Sequence, residues 1–150
     1  MDVSIVSDEA QLPRLLPLMR AYCDFYNVAP DDAALLAMSR ALMADPAREG
    51  VQFLATIDGE DAGFATVFWS WETSIAGRVG VMNDVFVAPQ ARGRGIATAL
   101  IGACRQRCRD QGALRMIWQT APDNVPAQSL YEGIGAVRES WIDYWLSTTD

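Results

Sequence analysis

The 150-residue chain contains no histidine. A Ser-His-Asp triad or a Cys-His pair is therefore excluded. Cysteine is scarce as well, limited to Cys23, Cys104 and Cys108. An odd count without framework spacing reads as reduced thiols. Cys104 and Cys108 stand four apart on a predicted helix and share a face. With no histidine and no further cysteine cluster they read as core, and no metal is expected. No apolar run approaches the roughly 18 residues of a membrane span. The opening Met-Asp-Val-Ser-Ile-Val-Ser-Asp lacks the basic and apolar regions of a secretory signal, so a cytoplasmic location is the expectation. Basic charge is short, with 12 Lys and Arg against 19 Asp and Glu and a net charge of −7. That balance argues against a nucleic-acid surface. It is compatible with a cationic substrate, as it is with many acidic proteins that have none.

What is abundant is apolar: 51% of residues, enough for a substantial core. The length fits one domain, taken as 1–150. Val3 to Val6 reads as a strand. Ser7 and Asp8 offer an N-cap to a helix carrying Leu12, Leu15, Leu16, Met19, Cys23 and Tyr26. Pro30-Asp31-Asp32 opens a second helix to about Ala44. Strands at Val51–Ile57 and Ala62–Trp71 flank Asp58-Gly59, a hairpin turn signal. A strand over 78–87, a helix over 94–110, a strand over 115–120, a short helix over 126–133 and a closing strand over 137–146 complete the pattern. Strands flank helices throughout, which predicts a single α/β domain.

Residues 84–97 carry the most information. Val85, Phe86 and Val87 lead through Pro89 into a turn punctuated by Gly93 and Gly95, and helical spacing follows from Ile96. Glycine lets backbone approach a ligand closely. The first amides of a helix, with the positive end of its dipole behind them, form an anion site. Arg92 and Arg94 add local positive charge. The Gly-Lys-Ser/Thr ending of a Walker loop is absent, as are the third glycine and the later acidic residue of a dinucleotide fingerprint. Gly-x-Gly by itself also occurs in ordinary strand-to-helix turns.

The segment resembles the coenzyme A pyrophosphate loop of the GNAT N-acetyltransferase superfamily, Gln/Arg-x-x-Gly-x-Gly/Ala. Both Gln90-x-x-Gly93-x-Gly95 and Arg92-x-x-Gly95-x-Ala97 fit it. A second motif follows: Asn124-x-x-Ala127-x-x-Leu130-Tyr131-x-x-x-Gly135-Ala136 is similar to the family's Asn-x-x-Ala-x-x-Leu/Phe-Tyr-x-x-x-Gly-Phe. The resemblance implies a mixed α/β sheet (α+β) whose two central parallel strands, about 79–87 and 115–120, splay apart to admit acetyl-CoA. It implies backbone donors for the thioester around Val85, Phe86 and Val87. Pyrophosphate would sit on the amides of Gly93, Arg94, Gly95, Ile96, Ala97 and Thr98, with Asn124 and Ala127 lining the coenzyme. Tyr131 matches the general acid that protonates the departing thiolate.

Asp84 is a carboxylate in an apolar strand, a costly placement that needs a reason. It is a candidate base or counter-charge for an amine; the alternative is a strand-end carboxylate held by loop amides. Gly63-Phe64-Ala65 and Trp69-Ser70-Trp71-Glu72 resemble the polyamine and thialysine branch of the superfamily. That branch carries Glu-Asp where this chain has Asn83-Asp84, so the usual base is missing. Glu72 and Asp84 are candidates to hold a cationic acceptor, with Asn83 beside them and Trp69, Trp71 and Tyr26 as aromatic walls. Most of the aromatics read as core or dimer packing, which keeps a homodimer open.

The expected activity is acetyl transfer from acetyl-CoA to a primary amine of a small molecule. A non-catalytic acyl-CoA sensor, a protein lysine or N-terminal acetyltransferase, and a nucleic-acid binder through Arg-Gly-Arg-Gly are the competing readings.

Overall fold

The computed structural model describes residues 1–149. It divides into two compact units, Met1–Gln119 and the segment from Thr120 onward. The first unit is a five-stranded sheet in the order β1-β2-β3-β4-β5. Its strands are β1 (Asp2–Ile5), β2 (Gly50–Ile57), β3 (Glu60–Glu72), β4 (Gly77–Val87) and β5 (Arg115–Ile117). The first four pair antiparallel, and β5 joins β4 in parallel. Three helices belong to this unit: α1 (Leu12–Phe25), α2 (Asp32–Ala44) and α3 (Ile96–Asp110).

Local chemistry explains these elements. Asp8 and Gln11 form a capping box on the 3-10 turn that leads into α1. The Asp31 side chain accepts from the Ala34 amide and caps α2. Asp58 and Gly59 have φ values of 54° and 84°, the left-handed pair that closes a two-residue hairpin between β2 and β3.

The apolar stripe of α1 (Leu12, Leu15, Leu18, Met19) packs with Leu54, Phe64 and Phe86 on one face of the sheet. In α3, the residues Ile96, Leu100, Ile101, Cys104 and Cys108 are buried. A methyl group built on Gly80 of β4 would stand 2.3 Å from the Cys108 sulfur, so only glycine permits the close approach of α3.

The second unit holds α4 (Val125–Gly133). Asn124 caps it by accepting from the Ala127 amide at 3.3 Å, with Pro126 in the first turn. Gly135, at φ 84°, ends it. None of the described residues from 120 onward is buried. Two strand expectations are corrected. β5 stops at Ile117 rather than 120, and residues 137–146 form no strand, because their backbone joins no ladder. No helix among the described residues is long and apolar enough to cross a membrane.

Candidate active site

The β4–β5 ladder is short. Val79 pairs with Arg115, Gly80 with Met116 and Val81 with Ile117, and β5 then ends while β4 runs on to Val87. Among the described residues, the far half of β4 is paired only with β3. The Ala88 amide donates to the Ala62 carbonyl at 2.9 Å. Backbone polar groups alternate along an antiparallel pair, so Phe86 also faces β3 while Val85 and Val87 turn away from it. The Val87 carbonyl there accepts from Arg92 Nε at 3.2 Å. This is the strand splay that the motif resemblance implied.

At the end of β4 the chain turns into α3. Gly93 and Gly95 have φ values of 74° and 79°, and a methyl group at either would meet no atom within 4 Å. Backbone conformation, not space, demands glycine at both. Gly95 occupies the N-cap of α3 and brings no capping side chain, so the first-turn amides of Ile96, Ala97 and Thr98 lack a side-chain acceptor. Arg92, Gly93, Arg94 and Gly95 are exposed, Ala97 is half-buried, and Ile96 is anchored in the core. Arg94 pairs with Asp58 of the β2–β3 turn at 2.6 Å. That contact pulls the Asp58 carboxyl below its ordinary range, chiefly through the hydrogen bond. This half of the site can therefore accept an anion.

Asp84 lies inside β4, buried to 6% exposure. The reading of a strand-end carboxylate held by loop amides is overturned: its partner is a side chain, Asn83 Nδ2, which donates at 2.9 Å. Between Thr66↔Asp84 and Val67↔Met82, β3 advances one residue and β4 two. Asn83 is the extra residue of a bulge, a device that re-aims side chains beside sites. Gln52 pairs with Thr66, and Thr66 with Asp84, so three polar residues form one row across β2, β3 and β4. All three are buried. Gln52 Nε2 donates to Thr66 Oγ1 at 3.3 Å. Gln52 Oε1 has no hydrogen-bond partner among the described residues.

Tyr22 of α1 completes the row. Its ring stands edge-on to Phe64 and Phe86 at 5.9 and 6.3 Å and tilts against Tyr26 at 4.9 Å. Burial pushes its pKa far upward, and the Asp84 charge and a hydrogen bond toward that carboxylate push it further. Tyr22 thus stays a neutral phenol beside Asp84. The signal for Tyr22 in the sequence is its i, i+3 spacing from Met19.

The remaining candidates divide. Tyr26 is exposed and belongs to the Tyr22 cluster. Trp71 is exposed. Trp69 donates to the Pro46 carbonyl at 2.9 Å and already carries the Arg78 guanidinium 5.5 Å from its ring. Glu72 is engaged by Arg115 and Ser74, and these contacts, Ser74 first, lower its pKa. Asn124, Ala127 and Tyr131 lie in the second unit, the first two in a shared cap and Tyr131 half-buried on α4.

Residues 15–136 match the model of the Acetyltransferase (GNAT) family. The chain is similar to the uncharacterized N-acetyltransferase YhfO of Bacillus subtilis, 31% identical over 134 residues, covering 89% of each chain. It is also similar to a thialysine N-epsilon-acetyltransferase of Caenorhabditis elegans, 24% identical over 97% of this chain and 88% of that one. Among solved structures, the aminoglycoside N-acetyltransferase AAC(6')-Iy in complex with CoA shares the fold, with a TM-score of 0.83 at 22% identity over 99% of this chain and 95% of that one. The chain belongs to the GNAT acetyltransferase family and is an N-acetyltransferase.

Proposed function

We propose that this enzyme moves an acetyl group from acetyl-CoA to a primary amine of a small molecule by direct attack on the thioester. The observation that carries the reading is that the β4–β5 ladder stops at Val81/Ile117 while β4 runs on to Val87 and leads into the glycine loop before α3. A long thioester could lie along that strand, with its pyrophosphate on the amides of Gly93 to Thr98. The aminoglycoside and thialysine activities named for similar proteins support a small-molecule acceptor. Three buried free thiols favour a reducing, cytoplasmic setting.

The amine nitrogen attacks as the free base and forms a bond to the carbonyl carbon. The C–S bond then breaks, and the thiolate takes a proton. Asp84 receives the amine proton, directly or through water, or holds the ammonium form as counter-charge. By resemblance Tyr131 supplies the thiolate's proton, and Asn124 and Ala127 line the coenzyme. With Glu72 tied to Arg115, Asp84 is the stronger candidate. The chain acts as one functional domain, and two copies assemble.

The test is free thiol release from acetyl-CoA across a panel of amines, including aminoglycosides, thialysine-like diamines and a lysine peptide. Release with small amines and not the peptide is expected. Coenzyme binding without release for any amine would favour the non-catalytic sensor.

A further inference from the structure

Asp84 and Phe86 stand two apart on β4 and share a face. Asp84 pairs with Thr66 and Phe86 with Phe64, so the four side chains form one patch. The patch lies under α1, where Gln52 Nε2 of the same row also donates to Met19 Sδ at 3.6 Å. Tyr22 of α1 is seated edge-on to both Phe64 and Phe86. A phenylalanine would pack on those two rings equally well and would bring no hydroxyl to satisfy. The tyrosine oxygen therefore calls for a separate explanation, and its partner is the Asp84 carboxylate. Burial and that neighbouring charge keep the phenol protonated, so Tyr22 serves as a donor and not as a base. A second donor, Asn83 Nδ2, takes Asp84 Oδ1 at 2.9 Å. A carboxylate offers about four lone-pair sites, so two donors aim it and still leave room for a substrate nitrogen or a water.

We infer that Tyr22 is a positioning residue of the reaction, whose hydroxyl fixes the orientation in which Asp84 meets the acceptor amine. The inference rests on the role proposed for Asp84 and adds the residue through which that role is set. Asp84 is 6% exposed, so water cannot supply the hydrogen bonds that hold an exposed carboxylate. Tyr22 is half-buried and comes from a different element, α1, so it ties the carboxylate of the sheet to the helix that covers it. Tyr22 acts through Asp84 alone. Its loss should move whichever parameter Asp84 governs, which is kcat for a base and the acceptor's KM for a counter-charge.

The experiment is a double-mutant cycle on the full chain: wild type, Tyr22→Phe, Asp84→Asn and the pair, assayed with one amine from the panel. Tyr22→Phe keeps the ring on Phe64 and Phe86, and calorimetry with acetyl-CoA should give wild-type affinity for every variant. Tyr22→Phe should lower kcat, or raise the acceptor's KM, by about tenfold or more, the scale of one hydrogen bond to a charged group. In the Asp84→Asn background the same substitution should change that parameter by less than about twofold, since the carboxylate it holds is gone. Multiplying effects would show that Tyr22 acts independently of Asp84 and overturn the inference. Wild-type kinetics in Tyr22→Phe beside an impaired Asp84→Asn would overturn it too and leave the role of Asp84 standing. Wild-type kinetics in Asp84→Asn would overturn both.

Discussion

Asn83 donates its side-chain amide to the Asp84 carboxylate at 2.9 Å, and it does so as the extra residue of a β4 bulge. The bulge shifts the phase of β4, so that Asp84 falls in line with Thr66 and Gln52 under α1. A carboxylate in that place is not carried by solvent. It depends on Asn83 outside and on Tyr22 within.

Gly95→Val should weaken acetyl-CoA binding at least about tenfold, or about 1.4 kcal/mol. At φ 79° a β-branched residue must strain or rearrange the turn that presents the α3 amides. Titration calorimetry reads the affinity, and circular dichroism checks the fold. Wild-type affinity would remove the loop from the pyrophosphate site.

Tyr131→Phe should lower kcat far more than it raises the KM for acetyl-CoA, because a leaving-group proton matters only in the transition state. Steady-state rates under chemistry-limited conditions decide it. Equal kcat would make Tyr131 a packing residue of α4.

Thr66→Val keeps the shape of a fully buried side chain and removes the oxygen acceptor of Gln52 Nε2, leaving it the Met19 sulfur at 3.6 Å. Leaving that amide short of a partner should cost about 1–3 kcal/mol in a denaturant titration. Gln52→Leu in the same background should recover part of the loss, because the unpartnered Gln52 Oε1 leaves with the amide. No recovery would mean that the loss does not come from the unpaired Gln52 amide.

Stability should fall as pH rises beyond about 9. Burial holds the Cys104 thiol far above its ordinary value and pushes Cys108 up to about 11, while Tyr22 is raised well above 10. These groups keep their protons in the fold and lose them in the unfolded chain. Their contribution is therefore complete below the unfolded pKa values and declines above them. Denaturation midpoints from pH 7 to 11 measure the slope, and Cys108→Ala with Tyr22→Phe should flatten it. An unchanged slope would contradict the assignment.

Much of this was legible in the residues. Asp58-Gly59 announced its hairpin, Asp31 its helix cap, and Gly93 and Gly95 the turn whose positive φ values they supply. The site beside Asp84 was less so. Its company is set by which residues of β2 and β3 fall opposite, and a single bulged residue decides that register. Tyr22 in an amphipathic helix has the same pattern whether it packs a core or faces a carboxylate. The alternation at 137–146 is a true strand pattern, but a pattern fixes a strand's faces without naming its partner. No ladder partner within the described residues takes it up.

The most direct measurement is kcat and acetyl-CoA affinity for wild type and Asp84→Asn, with the best amine of the panel, from about pH 6 to 9. A general base typically contributes on the order of 10²-fold or more. Asp84→Asn should lower kcat by at least that factor, or raise the acceptor's KM to match if Asp84 is counter-charge, with acetyl-CoA affinity unchanged. Wild-type kinetics in the variant across that range would contradict it.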